Sequence, residues 1–343
     1  MAKVAINGFG RIGRAFFKLA KETAPALEVV AVDDLSDLKT MAYLLKYDTV
    51  YGPSNFSVSV KEGKEPALVV DGREVRVISQ KDATLLPWKE LGIDIVVEST
   101  GFFTAYDKSK VHIDAGAKRV VITAPVKDEA PEGIAGATIL MGINEDRFPG
   151  SQITSNASCT TNAASPLMQI LNEKIGIKKA LLSTVHAYTA SQSIVDGPSK
   201  KDVREGRAAA QNIVPSTTGA AIAVSQAIPD LVNKFDGLSF RVPVPAGSIA
   251  DITFVASRPT TVEEVNKALT AAATESRFQG IFSVTNDPIV SSDIVGARFA
   301  SIADLSFTKV VDGDLVKVLA WYDNEMGYTS ALVKHVQKAA QNL

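Results

Sequence analysis

Val4-Ala5-Ile6-Asn7-Gly8-Phe9-Gly10-Arg11-Ile12-Gly13-Arg14 is a short apolar run, then three glycines at fixed spacing, then a helical pattern over residues 14–21. It reads as strand (residues 3–6), glycine-rich turn and helix. Gly8 permits the tight turn, Gly10 lets a pyrophosphate approach the backbone, and Gly13 allows the helix to pack closely on the strand. The helix N-terminus then faces the phosphates. Taken alone the match is weak, because glycine-rich turns often only make corners. Its surroundings strengthen it. Residues 27–32 form a second apolar strand that ends in Asp33 and Asp34, and Asp34 lies 21 residues after Gly13, where an acidic residue binds the adenosine ribose hydroxyls. A carboxylate there repels a 2′-phosphate, which favours NAD over NADP. The competing reading is that Asp33 and Asp34 cap a helix over residues 36–46, and one can cap while the other binds.

The alternation continues through the first half of the chain. Residues 67–70 and 73–78 flank Asp71-Gly72, a two-residue hairpin signal. Residues 93–98 read as a buried strand leading into Ser99-Thr100-Gly101, a turn of the kind that meets ligands at the carboxyl end of a parallel sheet. A helix over 106–115 and strands over 119–123 and 138–143 complete a βα pattern, and so predict a parallel sheet wound on both faces. His112 falls in that helix without an obvious partner and is read as structural.

At 343 residues the chain is long enough for two domains. Its 46% hydrophobic and 22% charged residues are ordinary for a soluble globular protein. A formal charge of -2 gives no electrostatic footprint for nucleic acid or an anionic membrane. One cysteine cannot form an internal disulfide, which fits a reducing compartment. With no apolar run of membrane-spanning length and no signal-peptide pattern at residues 1–6, a cytoplasmic protein is expected. No metal is expected.

That cysteine sits in Ser155-Asn156-Ala157-Ser158-Cys159-Thr160-Thr161-Asn162, among hydroxyls and amides rather than aliphatic groups. A helix is predicted from residue 160 to 174, and its N-terminal N–H groups would stabilise a thiolate nucleophile. Pro166 should kink or break that helix. The octapeptide alone leaves two readings open, an inert structural cysteine or a nucleophile. A strongly apolar strand over 180–185 delivers His186, whose ordinary pKa suits a base for a thiol. His335, between Lys334 and Lys338, reads as part of a solvated helix face. Residues 191–214 read as a long polar loop, and its mixed-charge run 200–207 is solvent-facing by default. Pro215-Ser216-Thr217-Thr218-Gly219 opens a helix over 220–227, which suits an anion site and equally an ordinary N-cap. Arg241 lies inside an apolar strand over 238–244. A half-buried guanidinium there needs an anionic partner, a substrate phosphate or a protein carboxylate. A strand over 315–322 runs into Asp323-Asn324-Glu325 and a closing helix over 328–338.

Together these stretches resemble the phosphorylating glyceraldehyde-3-phosphate dehydrogenase family over essentially the whole chain. The motif 5–14, Glu98-Ser99-Thr100-Gly101, the Cys159 octapeptide, Thr184-Val185-His186-Ala187-Tyr188-Thr189, 215–219 and Trp321-Tyr322-Asp323-Asn324-Glu325 match its motifs in order. The resemblance implies a Rossmann-type, doubly wound α/β domain over residues 1–158, to which 323–343 returns. It also implies an α+β catalytic domain over 159–322 with a mixed, largely antiparallel sheet. It implies an NAD-dependent glycolytic enzyme in which Cys159 attacks an aldehyde, His186 acts as base, and inorganic phosphate cleaves the resulting thioester. By position, Gly8, Gly10, Arg11, Ile12, Gly13, Asp34, Lys81, Thr123 and Asn324 would bind NAD, with Asn324 on the nicotinamide carboxamide. Thr189 and Arg241 would hold the substrate phosphate, and Ser158, Thr160, Thr218 and Gly219 would serve substrate and a second anion site. A homotetramer is implied, with the 191–214 loop at a subunit interface.

The chain departs from the family pattern where Val203-Arg204-Glu205-Gly206-Arg207 replaces an arginine-rich run. Two like charges at ~6 Å and an effective dielectric of ~20 repel by roughly 3 kcal/mol. Glu205 must therefore point away from a phosphate, with Arg204, Arg207 or Lys200 covering the site, or phosphate binds poorly. Ser191, Gly197 and Met326 are further departures, standing where Asp, Leu and Trp are common. Glu205 motivates a second enzyme reading, a relative that oxidises another aldehyde phosphate such as erythrose 4-phosphate and hydrolyses the thioester. A non-catalytic dinucleotide-binding scaffold is the third.

Overall fold

The computed structural model describes residues 1–199 and 202–343. Lys200, one of the residues expected to cover the phosphate site in place of Glu205, lies outside the described residues. The chain divides into two units, the first Met1–Ile139, Glu145–Ala157 and Leu332–Leu343, the second Leu140–Asn144 and Ser158–Ala331.

The first unit holds β1 (Ala2–Asn7), α1 (Arg11–Thr23), β2 (Leu27–Asp33), α2 (Leu38–Lys46), β3 (Val58–Lys61), β4 (Ala67–Val70) and β5 (Arg73–Ile78). After these come α3 (Trp88–Leu91), β6 (Ile95–Glu98), α4 (Tyr106–Asp114), β7 (Arg119–Ile122), β8 (Gly136–Thr138) and β9 (Ile153–Ser155). Its nine-stranded sheet has the order β3-β4-β5-β2-β1-β6-β7-β9-β8. Every pairing from β5 across to β8 is parallel, whereas β3/β4 and β4/β5 are antiparallel. β1 is central, fully buried over Val4, Ala5 and Ile6, with β2 on one side and β6 on the other. The strand order therefore reverses at the carboxyl end of β1, where the Gly8 turn begins, and this is where open α/β sheets bind ligands. The β4–β5 hairpin turns on Asp71 and Gly72, both at positive φ (48° and 78°), as the sequence predicts.

Three details of this unit differ from the sequence reading. Neither Asp33 nor Asp34 caps α2; Asp37 does, accepting from Thr40 N at 2.9 Å. The strand expected over 138–143 is only Gly136–Thr138, and its parallel neighbour β9 is three residues long, too short for alternation to reveal. His335 is wholly buried rather than solvated. It shares the inner face of its helix with Leu332, Val336 and Ala339, meets Thr154 Oγ1 at 2.7 Å and packs edge-on against Phe148. Burial pushes its imidazole down to about 3.

The second unit holds α5 (Cys159–Lys174), β10 (Ile177–Ala187), β11 (Val214–Thr217), α6 (Ala220–Ala227), β12 (Phe235–Val242) and β13 (Ser248–Ala256). It continues with α7 (Val262–Ala272), β14 (Phe282–Thr285), β15 (Ser301–Val311), β16 (Leu315–Tyr322) and the start of α8 (Met326–Gln341). The sheet order is β11-β12-β10-β13-β16-β15-β14. Among the described residues, only β10/β12 and β14/β15 of this sheet are parallel. α5 is one continuous helix through Pro166. Proline removes one intrahelical hydrogen bond. Against that loss, Ala163, Ala164, Leu167, Met168, Ile170 and Leu171 are all fully buried in the core that the helix forms with the sheet.

Candidate active site

In the first unit, the turn after β1 is shaped by contacts that exclude side chains. Gly8 has φ +93°, and a Cβ on it would lie 2.6 Å from Thr100 N; a Cβ on Gly13 would lie 2.2 Å from the Gly8 carbonyl oxygen. Gly10, by contrast, has nothing within 4 Å of its Cβ position and leaves the N-terminus of α1 without a side-chain cap. Open space, free N–H groups and a helix N-terminus are what a pyrophosphate requires. A cavity of about 480 Å³ lies here, lined by Gly8, Gly10, Asp34, Lys81, Ser99 and Thr100 among others. These residues fit a dinucleotide. The Asp34 carboxylate braces the turn, accepting from Phe9 N at 2.7 Å and from Ser36 N at 2.8 Å. Asp33 accepts from Gln80 N at 2.9 Å; burial raises its carboxyl to about 6, the bond from Gln80 pulls the other way and the neighbouring Asp34 charge adds to the rise. Arg11 pairs with Asp48 at 2.9 Å and stacks on Tyr51. Neither Arg11 nor Ile12 lines the cavity, and Thr123 sits beyond β7 with its N–H on the Glu98 carbonyl.

Beneath this cavity lies a support that the sequence did not reveal. Glu98, buried at the end of β6, accepts from Asn7 Nδ2 at 2.6 Å and from Thr100 N and Oγ1 at 2.8 and 2.5 Å. His112 completes it, with Nε2 3.1 Å from Glu98 Oε2.

In the second unit, alternation along β10 turns Ala180, Leu182, Thr184 and His186 inward. His186 thereby meets Cys159 at the start of α5, with Nε2 3.3 Å from Sγ. Ser158 caps that helix, its Oγ accepting from Thr161 N at 3.1 Å. The parallel register of β10 and β12 sets Arg241 directly beside His186, and Nη1 lies 2.6 Å from Nδ1. Tyr322 packs beside the pair. Its hydroxyl bridges Thr160 Oγ1 (2.9 Å) and Thr184 Oγ1 (2.6 Å), and its ring stands edge-on to the imidazole. Thr184 and Tyr322 lie in the motifs 184–189 and 321–325, but the sequence assigned neither a role in the site.

Cys159 is partly exposed as a residue, yet burial of the thiol is the largest influence on it and pushes its pKa up. The Arg241 charge and hydrogen bonds from Thr160 and the helix backbone pull it down without reversing the shift. Burial and the Arg241 charge together push His186 down to about 3. Both groups are therefore driven toward their neutral forms, not toward the thiolate the octapeptide suggested.

The expected phosphate ligands lie in the same unit. Thr189 follows β10, its Oγ1 3.1 Å from Ser191 Oγ. Thr218 Oγ1 accepts from Ala220 N at 3.2 Å, and Gly219 is the N-cap of α6, with nothing within 4 Å of its Cβ position. Glu205 turns toward β11, where Ser216 Oγ donates to it at 2.9 Å. Arg204 and Arg207, expected to cover the phosphate site, each pair with a carboxylate, Asp202 and Asp196. Asn324 follows β16, its Oδ1 accepting from Gly247 N at 3.1 Å. What remains for a ligand is its NH₂ group. Among the described residues no cluster of three or more His, Cys, Asp and Glu could hold a metal ion, and no helix is long and apolar enough to cross a membrane.

Residues 2–106 match the model of the glyceraldehyde 3-phosphate dehydrogenase NAD-binding domain, and residues 158–324 match that of its C-terminal domain. Glyceraldehyde-3-phosphate dehydrogenase of Clostridium acetobutylicum is 49% identical over 339 residues, 97% of each chain. Those of Thermotoga maritima and Streptomyces coelicolor are 50% and 47% identical over 97% and 96% of each chain. A Rossmann-type unit carrying the glycine turn and a mixed-sheet unit carrying Cys159 beside His186 are thus accompanied by likeness over nearly the full length: the chain belongs to the glyceraldehyde-3-phosphate dehydrogenase family.

Proposed function

We propose that the chain oxidises glyceraldehyde 3-phosphate, with NAD as hydride acceptor and inorganic phosphate as acyl acceptor, to an acyl phosphate. The observation that carries this reading is the 3.3 Å approach of Cys159 Sγ to His186 Nε2, with the Arg241 cation beside the pair. The sulfur bonds to the aldehyde carbon while His186 takes the thiol proton. His186 returns that proton to the oxygen of the thiohemiacetal and takes it back as the carbon gives up its hydride. NAD, held by Gly8, Gly10 and Asp34 of the first unit, supplies the acceptor for that hydride. Thr189 and Arg241 position the substrate phosphate, and Ser158, Thr160, Thr218 and Gly219 receive the attacking anion at the thioester. Initial rates of NADH formation test the reading: turnover depends on inorganic phosphate or arsenate, and Cys159→Ser abolishes it. Full activity in that variant would overturn the assignment.

Glu205 favours one second reading. Its carboxylate on Ser216, close in sequence to Thr218, weakens an anion site, so a hydrolytic relative acting on another aldehyde phosphate would show rates independent of phosphate. Assembly into four copies is proposed from the outward face of the second sheet, where Leu181, Val185, Leu238 and Leu315 are exposed together. Sedimentation at micromolar concentration distinguishes a tetramer from a monomer. A cytoplasmic location is proposed from the single unpaired cysteine.

A further inference from the structure

Three neighbouring strands of the first sheet end in a row of polar side chains. The parallel register sets Asp33 of β2 beside Asn7 of β1, and Asn7 beside Glu98 of β6, so the three share one face at the carboxyl edge. The amide in the middle of the row is only half satisfied. Asn7 Nδ2 donates to Glu98 Oε2 at 2.6 Å, whereas Asn7 Oδ1 is buried and receives no donor from any described residue. On the Asp33 side, Oδ1 accepts from Gln80 N at 2.9 Å, and no described donor reaches Oδ2. A carboxylate can only accept, so an ionised Asp33 leaves the Asn7 oxygen without a partner. A protonated one carries the missing O–H.

The surroundings of Asp33 favour that proton. Asp34 stands next to it on β2, Glu98 comes from β6, His112 from α4, and Lys81 from the segment after β5. Burial is the largest influence and raises the carboxyl to about 6; the Gln80 bond and His112 oppose the rise, while Asp34 and Glu98 add to it. Asn7, Asp33 and Asp34 all line the nucleotide cavity, and Lys81 is the one cation among its described lining residues. NAD brings a pyrophosphate, with a negative charge on each phosphate, into a cavity that already holds more anions than cations. A like charge brought near a carboxyl disfavours its ionised form further.

We propose that NAD binding carries a proton with it: as the nucleotide enters, Asp33 takes one proton from solvent onto Oδ2 and donates it to Asn7 Oδ1, closing the row Asp33, Asn7, Glu98. Asp33 is thereby a positioning residue for the cofactor. One O–H bond forms, one proton leaves solvent, and one carboxylate charge disappears beside the arriving pyrophosphate. The donors then run in one direction, from Asp33 to Asn7 to Glu98, and His112 Nε2 meets Glu98 from the far side at 3.1 Å. The direction of the pH effect follows. Below about 6 the free protein already holds the proton, and affinity for NAD is independent of pH. Above that, each NAD must bring one from solvent, and affinity declines as pH rises until the bound state also loses it.

The experiment titrates NAD into the full-length, nucleotide-free protein by calorimetry from about pH 5.5 to 8.5, in pairs of buffers with unlike ionisation enthalpies. The Kd rises about tenfold from the acid to the alkaline plateau, the size given by a difference of about one pKa unit between free and bound Asp33. Near pH 6.5 the heat depends on the buffer and reports uptake of about half a proton per NAD. In infrared difference spectra at the same pH, NAD brings up the stretch of a protonated carboxyl. Asp33→Asn fixes the closed row, because its NH₂ donates to Asn7 Oδ1 while its oxygen still accepts from Gln80 N. Its Kd stays near the wild-type acid value throughout, its heat is independent of buffer, and the carboxyl band is gone. A wild-type Kd that is flat with pH, no proton uptake, or no carboxyl band overturns the proposal even where the variant fails to fold. A variant that keeps the wild-type slope overturns it too, since the proton then belongs to another group. None of these readouts needs an aldehyde or turnover, so a wrong substrate assignment would fail in initial rates and leave them intact.

Discussion

Trp88 donates its indole N–H to Nδ1 of His112 at 3.1 Å, and that bond fixes the ring's proton on Nε2. The Nε2–H is then the fourth donor to Glu98, beside Asn7 Nδ2 and both donors of Thr100. A carboxylate accepting from three elements at once holds the Ser99–Thr100 turn against the Gly8 loop.

Glu98→Gln places an NH₂ group among donors. It is expected to lower stability by about 1–3 kcal/mol, the range for an unsatisfied buried polar group. It should weaken NAD binding while leaving kcat at saturating NAD near the wild-type value. Urea unfolding and a fluorescence titration with NAD check the two effects separately, and equal losses in both kinetic parameters would count against a positioning role.

Asp33 gives a pH signature. Its carboxyl is raised to about 6 in the folded chain, above its unfolded value, so the folded state binds the extra proton. Stability from this group is therefore present at low pH and lost as pH rises from about 4 through 6. Asp33→Asn should be more stable than the wild type by about 2 kcal/mol at pH 8, with the gap closing below pH 6. Denaturant curves without NAD at several pH values measure it.

His186→Asn removes the base and should lower kcat by about 10²–10⁴-fold. NAD binding should be unchanged, because the residues lining the cavity belong to the first unit. Stopped-flow turnover with equilibrium NAD titration separates the two.

Tyr322→Phe strands the hydroxyls of Thr160 and Thr184 in the core. The expected loss is about 1–3 kcal/mol with a small effect on kcat, since the lost hydroxyl bonds those two threonines and not the sulfur. Adding Thr184→Val should recover part of the stability, and thermal melts of the single and double variants test that coupling.

Glu205→Arg exchanges the charge beside Ser216. The KM for inorganic phosphate should fall at least about tenfold, given a repulsion of roughly 3 kcal/mol for like charges at ~6 Å. An unchanged KM would place the acyl acceptor elsewhere.

The features legible from sequence are those set by local chemistry. Gly8, the Asp71-Gly72 hairpin and the helix Ala220–Ala227 each follow from a residue's own backbone preferences. Pro166 does not break its helix, because its local preference is overridden by the burial of Leu167, Met168, Ile170 and Leu171 against strands distant in sequence. His335 was misread because two lysines flank it in sequence, although the helix turns them to a different face. Cys159 and His186 could each be named as candidates. Their contact could not, because it depends on the distant pairing of β10 with β12 and β13. The same pairing sets Arg241 on the imidazole, which no motif describes.

Ala157, fully buried, passes through φ +52° one residue before Ser158 caps the helix that carries the sulfur. A branched side chain is excluded there twice over, by backbone conformation and by lack of room. The nucleophile's address is thus written in part by a methyl group that meets no reactant, and a screen aimed only at residues touching substrate would pass over it.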